Sequence, residues 1–370
     1  MSTPVAIVTP GLPAALLAAV AHLHDRRARL RFVAGHAELR TPEGLETLRA
    51  RALELTAVNP RQALATAEMA VSAARHLGVE ARLKADRARA QALDSLCRYA
   101  DSALAHRELA AAYTRRGDSA RAAGTMMGLS AALMYAGDGT EALAVAARAR
   151  TLYRRLGDRQ GLAKLEVNVA TIEHRLDRFR ASLARLDRVR PVFVRAGDRA
   201  STAIIDLNRG LSWSMLGESG RAQRLYSAAA CAFSAEGREL QVAIVDYNRA
   251  YDLYLAGRYD RAYGAMEEVG LTYRRLGFPH GVASVDLDLA EMSLRLGANL
   301  AARDQAARAR AAFADLGIDL EEARAASLEG VALHRLGEID EARARFAAAR
   351  ACFQRQRLEV RAALDRKSVV

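Results

Sequence analysis

The segment AYDLYLAGRYDRA, residues 250–262, contains the spacing that decides the fold of this 370-residue chain. Gly257 stands seven residues after Ala250 and five residues before Ala262. A glycine directly after a helix adopts the left-handed conformation that closes it. Small residues on both sides allow two helices to approach closely. The segment therefore predicts the turn of a helical hairpin.

Turn residues recur along the chain with a constant spacing. One series repeats every forty residues and comprises Gly117, Gly157, Gly197, Gly237, Gly277 and Gly317. A second series lies halfway between, with Asp177 in place of one glycine: Gly137, Gly217, Gly257, Gly297 and Gly337. Aspartates follow the first glycines, where they can cap the next helix through its free amides: Asp118, Asp158 and Asp198. The spacing predicts helices of about 17 residues, joined in pairs.

Three further positions keep the same forty-residue period. One is always aromatic: Tyr113, Tyr153, Phe193, Phe233, Tyr273, Phe313 and Phe353. A second is small: Ser102, Ala142, Ser182, Ala222, Ala262, Ala302 and Ala342. A third, in the preceding helix, is also small: Ala90, Ser130, Ala170, Gly210, Ala250, Ala290 and Gly330. An irregular helical bundle would not keep one register over seven cycles, so the pattern indicates stacked repeats.

This pattern resembles the tetratricopeptide repeat (TPR), in a long variant of about forty residues. Ala170, Asp177, Ser182 and Phe193 stand at its small, turn, small and aromatic positions. The resemblance implies an all-α, right-handed superhelical solenoid of antiparallel helix pairs with about eight hairpins.

The predicted organisation has three parts. Residues 1–40 form an N-terminal segment with a capping helix, and residues 357–370 begin a further, incomplete helix. Between them lies the repeat array, residues 41–356, whose first hairpin turns at Asn59-Pro60. Its eight hairpins are 41–78, 79–117, 118–157, 158–197, 198–237, 238–277, 278–317 and 318–356.

Charge and composition narrow the classes of partner. The net charge is +12, yet many arginines stand at predicted helix ends, where they offset the helix dipole. Nucleic-acid binding is therefore not the favoured explanation of the charge. No apolar run is long enough to cross a bilayer, and residues 1–20 lack the basic start of a signal peptide. Three cysteines without disulfide or ligand spacing, Cys97, Cys231 and Cys352, suit a reduced cytoplasm.

No catalytic motif is visible, and we expect no catalytic residue, metal or cofactor. The sequence contains neither an HExxH motif nor a Walker phosphate-binding loop. His22 and His24 lie two residues apart, on different faces of a helix. An enzyme is the third and least favoured class of function, after a binding scaffold and a sensing module.

The first helix of each TPR hairpin lines the concave side, so residues forty apart form rows along a groove. One row, here called the asparagine row, comprises Asn168, Asn208, Asn248 and Asp288. A carboxamide can donate and accept at once, which suits the backbone of an extended peptide. In some peptide-binding TPR proteins, asparagines at this position bind the backbone of an extended peptide. The resemblance implies the same role here. Asparagine is also common at this position in generic TPR proteins, whether or not a peptide binds, and that alternative stays open.

Further groove candidates lie beside this row. Lys164, Thr171 and Arg175 belong to one first helix. Tyr247, Tyr251 and Tyr254 stand at i, i+4 and i+7, which places them on one helical face. Such tyrosines are typical of recognition surfaces. An ordinary core stripe between helices would have the same spacing.

The predicted function is a protein- or peptide-binding scaffold. Forty-residue arrays rich in alanine and arginine, with joints such as Leu156-Gly157-Asp158, resemble the N-terminal repeat region of bacterial CHAT-domain proteins. That resemblance implies the sensor or regulatory half of a protease-containing protein. The alternative is the ligand-sensing module of a bacterial transcriptional regulator. Sequence beyond Val370 would carry a Cys/His protease pattern in the first case and a DNA-recognition helix in the second.

Overall fold

The computed structural model describes residues 25–355, which form seventeen α-helices and two short 3₁₀-helices and contain no strand. The predictions for residues 1–24 and 357–370 lie outside the described residues. The chain divides into two compact units, residues 1–109 and 110–370.

The first unit contains four complete helices and most of a fifth, which crosses the unit boundary. They are α1 (Arg26–Gly35), α2 (Pro42–Leu55), α3 (Pro60–Ala73), α4 (Val79–Ser95) and α5 (Tyr99–Arg115), with 3₁₀-helices at Ala37–Arg40 and Ala74–His76. Asn59 caps α3, because its side chain accepts a 3.0 Å hydrogen bond from the Gln62 amide. Proline occupies the first position of α3, where no amide hydrogen is required.

The second unit contains twelve further helices in which consecutive helices pack together. They are α6 (Ser119–Tyr135), α7 (Gly139–Leu156), α8 (Arg159–Arg175), α9 (Phe179–Arg195), α10 (Arg199–Met215), α11 (Ser219–Ala235), α12 (Glu239–Leu255), α13 (Tyr259–Arg275), α14 (Pro279–Arg295), α15 (Asn299–Leu316), α16 (Asp319–Leu336) and α17 (Ile339–Arg355). First helices also contact first helices of the next repeat, as α10 contacts α12 and α14 contacts α16. This is the packing of stacked helical hairpins.

The predicted turns are confirmed in their backbone geometry. Every glycine of the two series has a φ angle between 63° and 92°. Asp177, which replaces glycine in the second series, adopts φ 58°. Asp158 caps α8 by accepting a 2.7 Å hydrogen bond from the Gly161 amide, and Asp118 and Asp198 cap α6 and α10 in the same way.

The periodic aromatic and small positions form the core. All seven aromatic residues of the series are at most 6% exposed. Phe233 packs in one cluster with Ala203, Tyr226 and Val245, which belong to α10, α11 and α12. A β-carbon at Gly210 would lie 2.5 Å from Cε1 of the Tyr226 ring, so only glycine fits there. The all-α, TPR-like solenoid class is thereby confirmed.

Ion pairs add a second link between successive repeats. Arg150 of α7 contacts Glu166 of α8 at 2.5 Å, and burial of that glutamate is outweighed by Arg150 and Arg185, which lower its pKa. Arg190 of α9 binds both carboxylate oxygens of Asp206 of α10 at 2.8 Å. Several arginines therefore pair with buried carboxylates rather than only offsetting helix dipoles.

Candidate ligand-binding cleft

A cleft of about 300 Å³ runs across the first helices of five successive repeats in the second unit. We call it the central cleft. Its lining comes from α8, α10, α12, α14 and α16, with one residue from α11: His174, Leu211, Ser214, Met215, Tyr226, Tyr247, Asn248, Tyr251, Leu255, Ser284, Leu287, Asp288, Glu321 and Arg324.

The central cleft crosses these helices obliquely. Met215 lines it from the last turn of α10, whereas Glu321 and Arg324 line it from the first turns of α16. The side chains change character along this path. Leu255 and Met215, from the last turns of α12 and α10, are apolar, whereas Glu321 and Arg324 of α16 are charged. An occupant would therefore meet both apolar and charged side chains along the cleft.

Asp288 is the most unusual group in the central cleft. It is only 8% exposed and forms no ion pair with any of the described residues. Its carboxylate accepts a hydrogen bond from the phenol of Tyr247. Burial raises the pKa of Asp288 to about 6, although the bond from Tyr247 and the charge of Arg324 act in the opposite direction.

Charged and phenolic groups surround this carboxyl. Arg324 donates to Glu321 at 2.5 Å; burial works against its charge, but the carboxylates of Glu321 and Asp288 hold the pKa of Arg324 above its ordinary value. Burial and the nearby carboxylates raise the pKa of Tyr251 to about 12. Tyr251 therefore keeps its proton near neutral pH and can donate a hydrogen bond.

The asparagine row has unused hydrogen-bonding capacity. Asn248 lines the central cleft and donates through Nδ2 to the Ile244 carbonyl at 2.7 Å, while its Oδ1 accepts no hydrogen bond from residues 25–355. The half-buried Asn208 makes no side-chain hydrogen bond within the same range and, like Asn168, lies outside the lining of the central cleft. Asn168 accepts a 3.3 Å hydrogen bond from Ser130 of α6. A carboxamide can form up to four hydrogen bonds, so all three can bind more.

Three other predicted groove residues lie outside the lining of the central cleft. Lys164 is exposed, and Thr171 donates to the Val167 carbonyl of its own helix at 3.2 Å. The guanidinium of Arg175 stacks over the ring of Tyr135 at 4.4 Å.

The tyrosines of α12 divide between the cleft and the core. Tyr247 and Tyr251 line the central cleft, whereas Tyr254 is 7% exposed and does not. Tyr254 instead donates to Glu291 of α14 at 3.3 Å. The structure therefore brings together Asn248 and Asp288 of the row with the first two tyrosines.

The sequence prediction missed several lining residues, among them Glu321, Arg324 and Met215. The forty-residue register could have found Arg324, because it stands four repeats after Lys164 and one after Ser284. The position is lysine in one repeat and isoleucine in the next two, so it shows no constant chemistry. A row of changing residues is not recognisable as a site without coordinates.

Reactive chemistry is not evident in the central cleft. Nδ1 of His174 lies 3.1 Å from the Ser212 hydroxyl, but Ser212 is fully buried and unreachable by a substrate. Burial lowers the pKa of His174, and Arg175 lowers it further. Among residues 25–355, no three His, Cys, Asp or Glu side chains are grouped to hold a metal ion. None of the helices described between these limits is both long and apolar enough to cross a membrane.

Comparisons with known proteins support the fold. No family model and no curated protein matches the sequence. Among solved structures, a Rap protein complexed with competence and sporulation factor has a TM-score of 0.56 at 12% identity, over 88% of this chain and 96% of that one. NprR with its cognate peptide NprX gives 0.54 at 13% identity, over 83% and 88%. The Rap conjugation gene regulator of plasmid pLS20 with the Phr* peptide gives 0.58 at 13% identity, over 74% of each chain. The protein thus has the fold of TPR-like repeat proteins.

Proposed function

We propose that this protein is a non-catalytic, peptide-binding repeat protein whose central cleft holds an extended segment of its partner. The observation that carries the proposal is the Oδ1 of Asn248, which lies in a cleft spanning five repeats and has no hydrogen-bond donor among the described residues. This carboxamide oxygen can accept a hydrogen bond from a ligand amide without breaking one inside the fold.

The spacing of the asparagine row suits the backbone of an extended chain. Asn208 and Asn248 lie on α10 and α12, which contact each other directly. Packed helices are about 10 Å apart, and an extended chain advances about 3.3 Å per residue. Successive asparagines would then contact peptide groups about three residues apart. Contacts to the backbone would provide affinity largely independent of the ligand sequence.

The apolar and the charged residues of the central cleft would provide selectivity. Leu255 and Met215 offer an apolar site for one ligand side chain. Asp288, Glu321 and Arg324 offer hydrogen-bonding and charged groups. A ligand that carries both apolar and polar side chains would fit this arrangement.

The similar structures support a peptide ligand, because two of the three compared above are complexes with a peptide and the third is a complex with competence and sporulation factor. They also favour a regulatory setting, since one of them is described as a gene regulator. Within the proposal, the repeat array is therefore a peptide-sensing module of a cytoplasmic regulator. The regulatory half of a CHAT-type protease protein, which the sequence resemblance implies, stays the second setting, and nucleic acid is not the expected ligand of the cleft.

The test is a selection of peptides from a random library on the immobilised protein. We expect enriched sequences whose binding is lost in the double variant Asn208→Ala/Asn248→Ala, because two backbone contacts disappear. Far-ultraviolet circular dichroism should show unchanged helicity.

Asn299→Ala provides the control, since Asn299 lies on the second helix α15 and not in the asparagine row of the first helices. It should retain wild-type affinity for the same peptides. If the double variant binds them as tightly as the wild type, the asparagine row is not the binding site. If no peptide is enriched on the wild type, peptide binding itself is rejected.

A further inference from the structure

The first unit contains a small cavity between α1, α3 and α4, of about 70 Å³. That volume is several times the ~10–15 Å³ that holds one water molecule. Four arginines and a single carboxylate, that of Glu68, contribute to its lining: Arg26, Arg29, Arg75 and Arg89. The lining therefore has four positive charges and one negative charge, a net charge of +3.

The described residues neutralise only part of this charge. Arg29, whose side chain is 12% exposed, contacts Glu68 at 3.1 Å and is held in place by it. Arg89 has its nearest carboxylate oxygen, on Asp86, at 3.6 Å, and its buried Nε has no hydrogen-bond partner in the described part of the chain. Arg26 and Arg75 form no ion pair with any residue between 25 and 355.

Four arginines on the lining of one cavity repel one another unless anions offset their charge, and Glu68 can offset only one of them. A guanidinium presents a planar fork of N–H donors that matches the oxygens of a phosphate group. We propose that this cavity binds the terminal phosphate group of a phosphate monoester, or phosphate itself, with Arg26, Arg75 and Arg89 as the contacting cations and Glu68 positioning Arg29.

The charge and the size of the cavity select the class of phosphate. A monoester is close to doubly charged at neutral pH and has one substituent, so its phosphate group can enter while the rest stays outside. A diester, as in a nucleic-acid backbone, has a single charge and two substituents. The +3 lining and the small volume therefore favour the monoester.

This site is independent of the proposed peptide-binding function, because none of its residues belongs to the central cleft. Either proposal can fail without affecting the other.

The experiment is isothermal titration of the full-length protein with O-phosphoserine at constant ionic strength. We expect saturable binding that weakens at least about tenfold in Arg26→Gln/Arg75→Gln, because two charge-assisted contacts are lost. Both residues are exposed, so the variant should keep the wild-type fold and circular dichroism. Arg61→Gln/Arg87→Gln is the matched control: it removes the same charge from exposed positions of α3 and α4 that do not line the cavity, and it should bind as the wild type does.

Two further titrations identify the chemistry. Inorganic phosphate should bind with an affinity similar to that of O-phosphoserine, whereas dimethyl phosphate, a singly charged diester, should bind at least about tenfold more weakly. Absence of saturable binding, equal binding of the diester, or an equal loss in the control pair would each overturn the proposal.

Discussion

Buried carboxylates on the first helices do not all receive the same kind of partner. Asp206 and Glu329 are 5% and 4% exposed, and each pairs with an arginine of the preceding second helix. Asp288 is similarly buried, at 8%, but its partner is the phenol of Tyr247. Burial is nearly equal, so the partner makes the difference.

The contrast separates a structural role from a binding role. A paired carboxylate joins adjacent repeats, and removal of either partner would leave a buried charge. The Asp288 carboxyl, which forms no ion pair with the described residues, has a pKa of about 6. It lowers the stability of the fold whenever it is ionised. Natural proteins keep such local costs mainly where function requires them. The position of Asp288 in the central cleft fits that rule.

The largest effect on stability should come from the periodic aromatic residues of the core. Phe233→Ala removes a ring that is 2% exposed, and we expect a loss of about 3–5 kcal/mol in the free energy of unfolding. Urea denaturation followed by circular dichroism measures it. Leu271→Ala, at a site that is 61% exposed, is the control and should change stability by less than about 0.5 kcal/mol. A loss below about 1 kcal/mol for Phe233→Ala would show that the ring is not part of the core.

A smaller effect should follow when a paired carboxylate loses its arginine. Arg190→Met leaves Asp206 with one fewer cation, and we expect a loss of about 1–3 kcal/mol because a buried charge keeps fewer hydrogen bonds. The control is Arg180→Met on the same helix, since Arg180 is exposed and forms no ion pair with the described residues. Equal thermal denaturation midpoints for the two variants would contradict the structural role of the pair.

Substitution of Asp288 should change the stability in the opposite direction. The folded-state pKa of Asp288, about 6, exceeds its unfolded value of about 3.9. The folded state therefore binds the proton more tightly, and this contribution to stability is complete below about pH 4 and is lost as the pH rises through 6. We expect Asp288→Asn to raise the stability at pH 8 by about 1–2 kcal/mol and to reduce the pH dependence between pH 4 and 6.

Asp206→Asn is the matched control for that substitution, because it should lower stability at pH 8. Tyr247, Glu291, Glu321 and Arg324 also interact with Asp288, and all four remain in the Asp288→Asn variant. A loss of stability at pH 8 in Asp288→Asn would place this carboxyl in the structural group.

Local spacing predicted the fold because each repeat contains its own turn and core residues at fixed positions. Gly257 ends α12 with a φ angle of 73°, and Phe313 is completely buried at the position predicted for a core ring. Asp177 was predicted as a turn residue in place of glycine and adopts the left-handed conformation. Helix closure and core packing depend on neighbours at fixed sequence separations, so periodicity is sufficient to detect them.

The candidate site was predictable only in part. The forty-residue register selected Asn248 and Asp288, and helical spacing selected Tyr247 and Tyr251. The same reasoning included Tyr254, whose hydroxyl reaches Glu291 from a buried position. It omitted Arg324, which enters the cleft from a helix two repeats later in the chain.

The sequence alone determined where helices end, which residues form the core and which positions line up in rows, because these depend on short-range spacing and on residue size. Only the tertiary structure decided which carboxylate receives an arginine and which receives a phenol. It also decided which row residues share a cleft and that four arginines meet around one cavity. Those outcomes depend on distances between side chains from different repeats, and the periodic pattern does not encode such distances.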